Sequence, residues 1–392
     1  MSVATGPSRL QLALSSALSP FAMVIVAPML PMIGRDYHVD PAATQFVVSA
    51  YLFGLFLAQL VLGPLSDRLG RRGILLVSLT VYTAMSLVCA VAPTFEILVA
   101  ARFLQACGAA GASTVVRAAV HDSYHGDVAV RYMTFIAVGH SVAHTLSPSL
   151  GGVIVDTAGP AATFYLLAAT GVAMLAWAIA AMPETLKSRG AGFATIAHDT
   201  FAVLRNPLFF AYSAVYGLTG AGFFAFLAIA PAYFDRHFNV SGAAFGLYWS
   251  YMAGAFLITA MAGGRLVARF GRGAVFNVCL SLCAVIGVSL PLLVLVLGAT
   301  PVTIVAPMVA VSAVLGVTSP LSLSGAIAAE PRLAGTASGL CGSLSMAYSG
   351  LFTIVGGFAY DGGALTLVAP MTVAMTLMAV CAVAIARLSR SA

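Results

Sequence analysis

Two histidines lie four residues apart within a long apolar part of the chain. The stretch 139–152 reads GHSVAHTLSPSLGG and contains His140 and His144, but no lysine, arginine, aspartate or glutamate. An ionisable side chain inside a membrane is energetically costly, so it usually lines a pathway or has a partner. Because histidine titrates near neutral pH, these side chains could line a substrate pocket, carry a proton, or hydrogen-bond between helices.

A second candidate is Arg102, which lies in another apolar stretch with Gln105 three residues further on. It is the only permanently charged side chain in the interior of any span we predict below. A guanidinium stays protonated, so it needs a carbonyl, a carboxylate or water nearby. Arg102 could face a substrate or proton pathway together with Gln105, or it could be a structural residue bonded to backbone carbonyls of the first span. The helical rise places it at a depth similar to that of His144.

The composition indicates that these residues lie in a membrane protein. Of the 392 residues, 61% are hydrophobic and only 8% are charged, whereas a soluble domain has about 25% charged residues. Apolar runs of about 20 residues recur, each long enough for a helix to cross the bilayer, and they lack the alternation of a β-barrel strand. We predict an all-α integral membrane protein with twelve transmembrane helices, at about 10–33, 44–66, 73–92, 95–117, 129–155, 161–182, 208–233, 243–267, 274–297, 301–328, 334–359 and 364–387.

One long polar segment divides these spans into two groups of six. We predict an N-terminal six-helix bundle over residues 1–182, a cytoplasmic linker over 183–207 and a C-terminal six-helix bundle over 208–392. The loops 63–73 and 263–273 occupy equivalent places in the two bundles and are weakly similar. Such a repeat is expected of transporters built from two related halves around a central site.

Basic residues are distributed unequally between the two ends of the spans. The arginine-rich side holds most of them, including Arg117 at the end of the fourth span, whereas the arginine-poor side holds only Arg35 and Arg236. Positive residues stay on the cytoplasmic side of a membrane. We therefore predict that the arginine-rich side and both termini are cytoplasmic, and that the net charge of +6 does not indicate a nucleic-acid partner.

The loop GPLSDRLGRRG combines glycines, one acid and several arginines at residues 63–73. An aspartate at the end of a helix can pair with arginine or with a neighbouring helix N-terminus. A charged cluster of this kind can hold one conformation and release another. We predict a conformational latch formed by Gly63, Asp67, Arg68, Gly70, Arg71 and Arg72.

These six residues match the G-x-x-x-D-R-x-G-R-R signature of the major facilitator superfamily without a departure, and the twelve spans extend the resemblance to the whole chain. The stretch 102–127, MPETL at 182–186 and AGTASGL at 334–340 resemble the bicyclomycin- and chloramphenicol-resistance (Bcr/CflA-type) branch of drug:proton antiporters. The resemblance implies the major facilitator fold and places Arg102 in a motif that influences proton transfer.

The fifth span contains SPSLGG at 147–152, which resembles the antiporter motif of this group. Small residues at every fourth position, from Gly139 to Gly151, form a stripe suited to close helix packing. We predict packing roles for Ser147, Pro148, Gly151 and Gly152.

The first span departs from the branch at the position that commonly holds an acid. Val24 stands four residues before Pro28, and no aspartate or glutamate lies near the middle of any predicted span. The titratable residues that remain in or beside the spans are His140, His144 and Asp67.

The resemblance implies a secondary active transporter of the bacterial inner membrane. It would export a small organic compound, a drug or a metabolite, by alternating access in exchange for protons. Open alternatives are an uncoupled facilitator, a proton-coupled importer, and an exporter of a siderophore or other anionic metabolite. The implied partners are the substrate, protons and the lipid bilayer, with the protein a monomer.

Other functional classes fit the sequence poorly. The pairs His121/His125 and His140/His144 are too few and too far apart in depth for a membrane di-iron enzyme. The six cysteines show no zinc-type spacing. We therefore expect no enzymatic activity, no metal and no cofactor.

Overall fold

The computed structural model of the protein describes residues 8–186 and 193–391, and within these ranges it contains helices but no strand. The predicted all-α class is confirmed. The helices are α1 (Arg9–Val24), α2 (Leu30–Asp36), α3 (Pro41–Thr44), α4 (Phe46–Leu69), α5 (Arg71–Ala90), α6 (Phe95–Ser123), α7 (Gly126–Ala181), α8 (Phe193–Arg205), α9 (Pro207–Phe238), α10 (Gly242–Phe270), α11 (Arg272–Leu297), α12 (Pro301–Ala329), α13 (Ala334–Phe358) and α14 (Ala364–Ser391).

Eleven segments of the described ranges are long and apolar enough to cross a membrane, and one of them, Arg131–Ala181, has 51 residues. This segment is broken at Gly159, where φ is +79°. Pro160 follows and cannot donate a helical hydrogen bond. The double-length segment therefore contains two spans, which gives the predicted number of twelve.

Proline also shapes the first span. Helix α1 ends at Val24, a short 3₁₀ turn covers Ala27–Met29, and α2 continues to Asp36. Pro28 and Pro31 are the second residues of the 3₁₀ turn and of α2, where the backbone N–H has no acceptor within the helix.

The two halves are in close contact on the arginine-poor side, where α7 packs against α10. A Cβ added at Gly152 would lie 2.2 Å from the carbonyl oxygen of Gly242, and one at Gly246 would lie 2.6 Å from that of Pro148. Only glycine permits such a backbone approach. The hydroxyls of Ser149 and Ser250 are 2.8 Å apart in the same contact.

Polar contacts close this side further. The Asp156 carboxylate of α7 accepts hydrogen bonds from the backbone N–H groups of Gly242 (3.2 Å) and Ala243 (2.9 Å), at the N-terminus of α10. Arg35 of α2 forms a salt bridge of 2.8 Å with Asp235 of α9. These bonds join one half to the other at the mouth of the interface, so the arginine-poor side is closed in this conformation.

The segment between the halves contains α8, which packs on α13 and α9. Part of the predicted linker, residues 187–192, lies outside the described residues. Asn206 ends the segment: its side-chain oxygen caps α9 by accepting from Leu208 and Phe209, and its amide group donates to the Ala329 carbonyl and to Glu330. The entry into the C-terminal half is thereby fixed to the end of α12.

The contact of α7 with α10 predicts that Gly246→Val opens the arginine-poor side. The new side chain would collide with backbone atoms of Pro148 and Ser149, both 2.6 Å from an added Cβ. Overpacking costs about 1–3 kcal/mol, a shift of about 5- to 150-fold in the balance of two conformations. We expect faster thiol labelling of Ser250→Cys in protein whose native cysteines have been replaced.

The matched control is Gly254→Val on the same helix, where an added Cβ meets nothing within 4 Å. Its labelling rate should equal that of the parent protein. Equal rates in Gly246→Val and Gly254→Val would show that this contact does not hold the side closed.

Candidate functional site

A cavity of about 270 Å³ lies between the two halves. Its wall is formed by α1, α7, α9, α10, α12 and α13, so both halves contribute. The apolar part of the wall is aromatic and methionine-rich, whereas the polar part consists of hydroxyl and imidazole groups. The lining residues with functional side chains are Met23, His140, Ser141, His144, Thr145, Tyr216, Thr219, Phe223, Phe224, Trp249, Met252, Phe256, Ser312, Ser319, Ser345 and Met346.

The structure places His140 and His144 in this wall, one helical turn apart on α7. The His144 ring lies 5.8 Å from the Trp249 ring and 6.3 Å, edge-on, from the Phe224 ring. Both of those aromatic residues belong to the other half. Among the described residues neither imidazole has a hydrogen-bonded partner, so their nitrogen atoms are available to a ligand or a proton.

Arg102 lies elsewhere, buried without exposed surface in the N-terminal half. Its guanidinium donates to the carbonyl oxygens of Ala22 and Val47, at 3.2 and 3.3 Å, and to the side-chain oxygen of Gln105. It also stacks over the Tyr51 ring at 4.2 Å. The arginine therefore ties α1, α4 and α6 together, as the structural alternative for it predicts.

Gln105 continues this buried network. Its amide nitrogen donates to the Ser86 hydroxyl at 2.6 Å, which joins α6 to α5. Neither Arg102 nor Gln105 lines the cavity in this conformation. The structure thus brings His140 and His144 together but separates them from the other two candidates for the pathway.

Arg117 is the charged residue near the histidines, and the sequence patterns missed it. The predicted fourth span ends at residue 117, but α6 continues to Ser123, so Arg117 lies inside this helix and not at its end. Arg117 interacts electrostatically with His140 on α7 and with Tyr216 on α9. The uninterrupted helix-forming stretch after residue 117 was the available signal.

The predicted latch residues form a cluster at the ends of α4 and α5. The Arg71 guanidinium forms salt bridges with Asp67 and, at 2.9 Å, with Asp122, and it donates to the Ser66 hydroxyl at 2.6 Å. Asp122 belongs to α6, so the cluster joins three consecutive elements. The sequence patterns did not identify Asp122 or Ser66 as members.

Glu184 completes the cluster from the end of α7. Its carboxylate accepts from the backbone N–H groups of Arg71 (2.9 Å) and Arg72 (3.2 Å), at the N-terminus of α5. Partial burial raises the pKa of Glu184, but the N–H groups of Leu186, Arg71, Arg72 and Thr185 together lower it below its usual value. A helix N-terminus favours such a negative charge.

The two latch glycines differ in what they permit. Gly70 has φ +101°, and a Cβ there would lie 2.6 Å from a Glu184 carboxylate oxygen, so both its conformation and its neighbour require glycine. Gly63 would make an ordinary contact of 3.7 Å with Thr114. Arg72 donates to the Ile179 carbonyl at 2.8 Å, and Arg68 also has an interaction partner.

The antiporter-motif residues pack α7 against two helices. A Cβ on Gly151 would lie 2.2 Å from the Ile25 carbonyl oxygen of the first span, whereas Gly152 faces Gly242 of α10. Ser147 is fully buried, and the Pro148 carbonyl faces Gly246. The motif thus holds the cavity-lining face of α7 between the two halves.

The contacts of Glu184 predict that Glu184→Ala exposes the backbone amides of Arg71 and Arg72, which the carboxylate caps. A hydrogen bond to a charged group contributes about 1.5–3 kcal/mol, so amide exchange at Arg71 and Arg72 should become faster by about tenfold or more. Glu184→Gln should give an intermediate rate because it keeps an acceptor. Hydrogen–deuterium exchange of the peptide containing residues 63–72 measures this.

The carboxylate also predicts the pH dependence of that protection. Because its folded-state pKa is lowered, the stabilisation is present above the ordinary glutamate value of 4.5 and is lost as the pH falls through the folded-state value. Glu96→Ala, at the other membrane side, is the control and should not change exchange at 63–72. Unchanged exchange in Glu184→Ala would contradict the capping role.

Comparison with known proteins identifies the family of this chain. Residues 12–353 match the model of the Major Facilitator Superfamily. A chloramphenicol resistance protein of Pseudomonas aeruginosa is 30% identical over 66% of this chain and 63% of its own length. A bicyclomycin resistance protein homolog of Haemophilus influenzae is 26% identical over 86% of this chain and 85% of its own length. These relatives confirm the predicted resemblance to that branch.

The fold is also that of a solved transporter. The crystal structure of a D-xylose–proton symporter superposes with a TM-score of 0.75, at 13% identity and with 96% of each chain covered. At this identity the likeness concerns the fold alone. The chain therefore belongs to the major facilitator superfamily, a family of membrane transporters and not of enzymes.

Proposed function

We propose that this protein exports a small organic compound through the cavity between its two halves. The observation that supports this most is the cavity itself, whose wall combines Phe224, Trp249 and Phe256 with several hydroxyl groups and two imidazoles. Binding sites for small molecules are largely apolar, with a few polar groups that fix orientation. The volume of about 270 Å³ suits a compact compound. Relatives named for chloramphenicol and bicyclomycin resistance support export.

Alternating access would operate on the contacts already described. If the protein lies in a bacterial inner membrane with its arginine-rich side facing the cytoplasm, the closed arginine-poor side faces outward. Release would then require separation of α7 from α10 and of Arg35 from Asp235, which are joined by a salt bridge of 2.8 Å. Closure would have to occur between the halves on the arginine-rich side. A monomer suffices for this cycle, because both walls belong to one chain.

We propose further that His140 and His144 carry the exchanged proton. They line the cavity, whereas Val24 is fully buried and no described carboxylate lines the cavity. A proton driving force of about 150–200 mV supplies about 4 kcal/mol, enough for a substrate gradient of about a thousandfold. The lack of an acid at position 24 equally favours the second candidate, an uncoupled facilitator.

We propose that the Asp67 cluster acts as the latch of the cycle. It joins α4, α5, α6 and the end of α7 through Arg71 and Glu184, so its members must move together or separate. Because it lies on the arginine-rich side, it is placed to bias closure of that side.

Resistance screening tests the export function. A strain lacking its own pumps, expressing this protein, should gain resistance to some compounds of a chemically broad panel. Ala253→Trp would fill the cavity that Ala253 lines and should abolish the gain. Ala268→Trp, at an exposed position of the same helix, should keep it. If both variants keep full resistance, the cavity is not the export site.

The hypothesis that the histidines carry the proton predicts that their variants lose uphill transport but keep downhill exchange, both measured in proteoliposomes. With the compound identified by the screen, a pH gradient should drive uphill transport by the wild type. His140→Ala or His144→Ala should lose uphill transport yet keep downhill exchange if the imidazole carries the proton. Loss of both would indicate substrate contact instead. A wild type that ignores the gradient would establish the facilitator.

The latch hypothesis predicts that Asp67→Asn lowers turnover without unfolding the protein. The variant loses the charge that pairs with Arg71 but keeps a similar shape, so its melting temperature should stay close to that of the wild type. Asp199→Asn on α8, whose partner His198 is 83% exposed, is the control and should transport normally. Wild-type turnover in Asp67→Asn would remove the latch role.

A further inference from the structure

The polar groups that line the cavity share one property: among the residues that the structure describes there, none is acidic. The wall contains imidazoles, hydroxyls and the Trp249 indole. The described carboxylates on the arginine-rich side are occupied elsewhere: Asp67 and Asp122 pair with Arg71, Glu184 caps α5, Asp199 pairs with His198, and Glu330 accepts from Asn206. A cationic ligand would find no counter-charge in this wall.

Arg117 supplies the opposite charge beside the cavity. It is half-buried and is not itself a lining residue of the cavity, but it interacts electrostatically with His140 of one half and Tyr216 of the other, both of which line the cavity. In the part of the chain that the structure describes, no carboxylate forms an ion pair with Arg117. Arg102 differs in that its guanidinium donates to two carbonyl groups and to Gln105, although one of its terminal nitrogens has no partner among the described residues.

A second observation also indicates an acceptor ligand. The indole nitrogen of Trp249 is buried and has no hydrogen-bond acceptor among the described residues. An indole N–H and a guanidinium can only donate hydrogen bonds. The cavity region thus offers two kinds of unused donor, one neutral and one cationic, together with hydroxyl and imidazole groups that can also donate.

We propose that the transported compounds are small aromatic acids whose anionic group pairs with Arg117. This inference rests on the proposed export function and names its substrate class. The carboxylate would accept from the guanidinium near His140 and Tyr216, and the ring system would lie against Phe224 and Trp249. An arginine fork matches carboxylate geometry in a bidentate manner, which a lysine does not reproduce.

The preference for an acid follows from whether each ligand gives Arg117 a counter-charge. An acid gives Arg117 a counter-charge away from bulk water, where charge pairs interact more strongly. A neutral amide of the same shape leaves the arginine without one, and an ammonium adds a like charge beside it. Specificity of this kind depends on repulsion of the wrong ligand as well as attraction of the right one.

Calorimetric titration of the purified protein in lipid nanodiscs tests the proposal with three matched probes. They are 2-naphthoate, 2-naphthamide and 2-naphthylmethylammonium, which share a ring system and differ in charge. We expect naphthoate to bind at least about tenfold more tightly than the other two, equal to about 1.4 kcal/mol. Ala253→Trp should abolish its binding, which would place the probe in the cavity.

The variants of Arg117 test the residue. Arg117→Gln should weaken naphthoate binding by at least about tenfold and leave naphthamide binding unchanged, whereas Arg117→Lys should be intermediate. Arg265→Gln removes an exposed arginine of α10 and should change neither affinity. If Arg117→Gln fails to fold, the ranking of the three probes on the wild type and the Arg117→Lys result decide the question.

The outcomes separate this inference from the export function. Equal binding of all three probes, or strongest binding of the ammonium, would overturn the inference while leaving the cavity as the export site. Naphthoate binding that Arg117→Gln and Arg117→Lys do not weaken would overturn the role of Arg117. If no probe binds although the resistance screen identifies a compound, the inference is wrong and export stands. A screen without any gain of resistance would count against export itself.

Discussion

Backbone contact between α7 and α10 is the constraint on which the rest of the structure depends. Gly152 meets Gly242, and Gly246 meets Pro148, at distances that exclude any Cβ. Helices in lipid gain no hydrophobic driving force from each other, so such close packing is what holds them together. The contact lies on the arginine-poor side, and the cavity lies between the halves further toward the arginine-rich side. The two halves can therefore pivot about this contact.

The same helix α7 connects this contact to the candidate site. Its motif residues face the first span through Gly151 and α10 through Gly152, and about two to three turns away it presents His144 and His140 to the cavity. Any movement that separates α7 from α10 must also separate His144 from Trp249, whose rings are 5.8 Å apart. The opening of one side and the environment of the imidazoles are therefore mechanically linked.

The sequence was sufficient for the fold class, the twelve spans and the family resemblance, because apolar length and a dense motif are local signals. The latch role of the loop 63–73 stays a prediction. It was insufficient for the site, because depth along a helix does not determine which face a residue occupies. The helical rise predicts similar depths for Arg102 and His144, yet Arg102 is bonded to Ala22 and Val47 inside one half. Arg117 was missed because its helix continues to Ser123, and Glu184 because its partners are more than 100 residues away in sequence.

The absence of an acid at position 24 agrees with the proposal that the transported compound is an anion. A carboxylate in the first span would repel an acid held by Arg117. Export of one negative charge from a cell whose interior is negative by 100 mV is favoured by about 2.3 kcal/mol, which corresponds to a gradient of about 50-fold. Entry of a proton at His140 would also move positive charge inward. The two driving forces would therefore add, so an anion exporter with weakened or lost proton coupling would still move its substrate uphill.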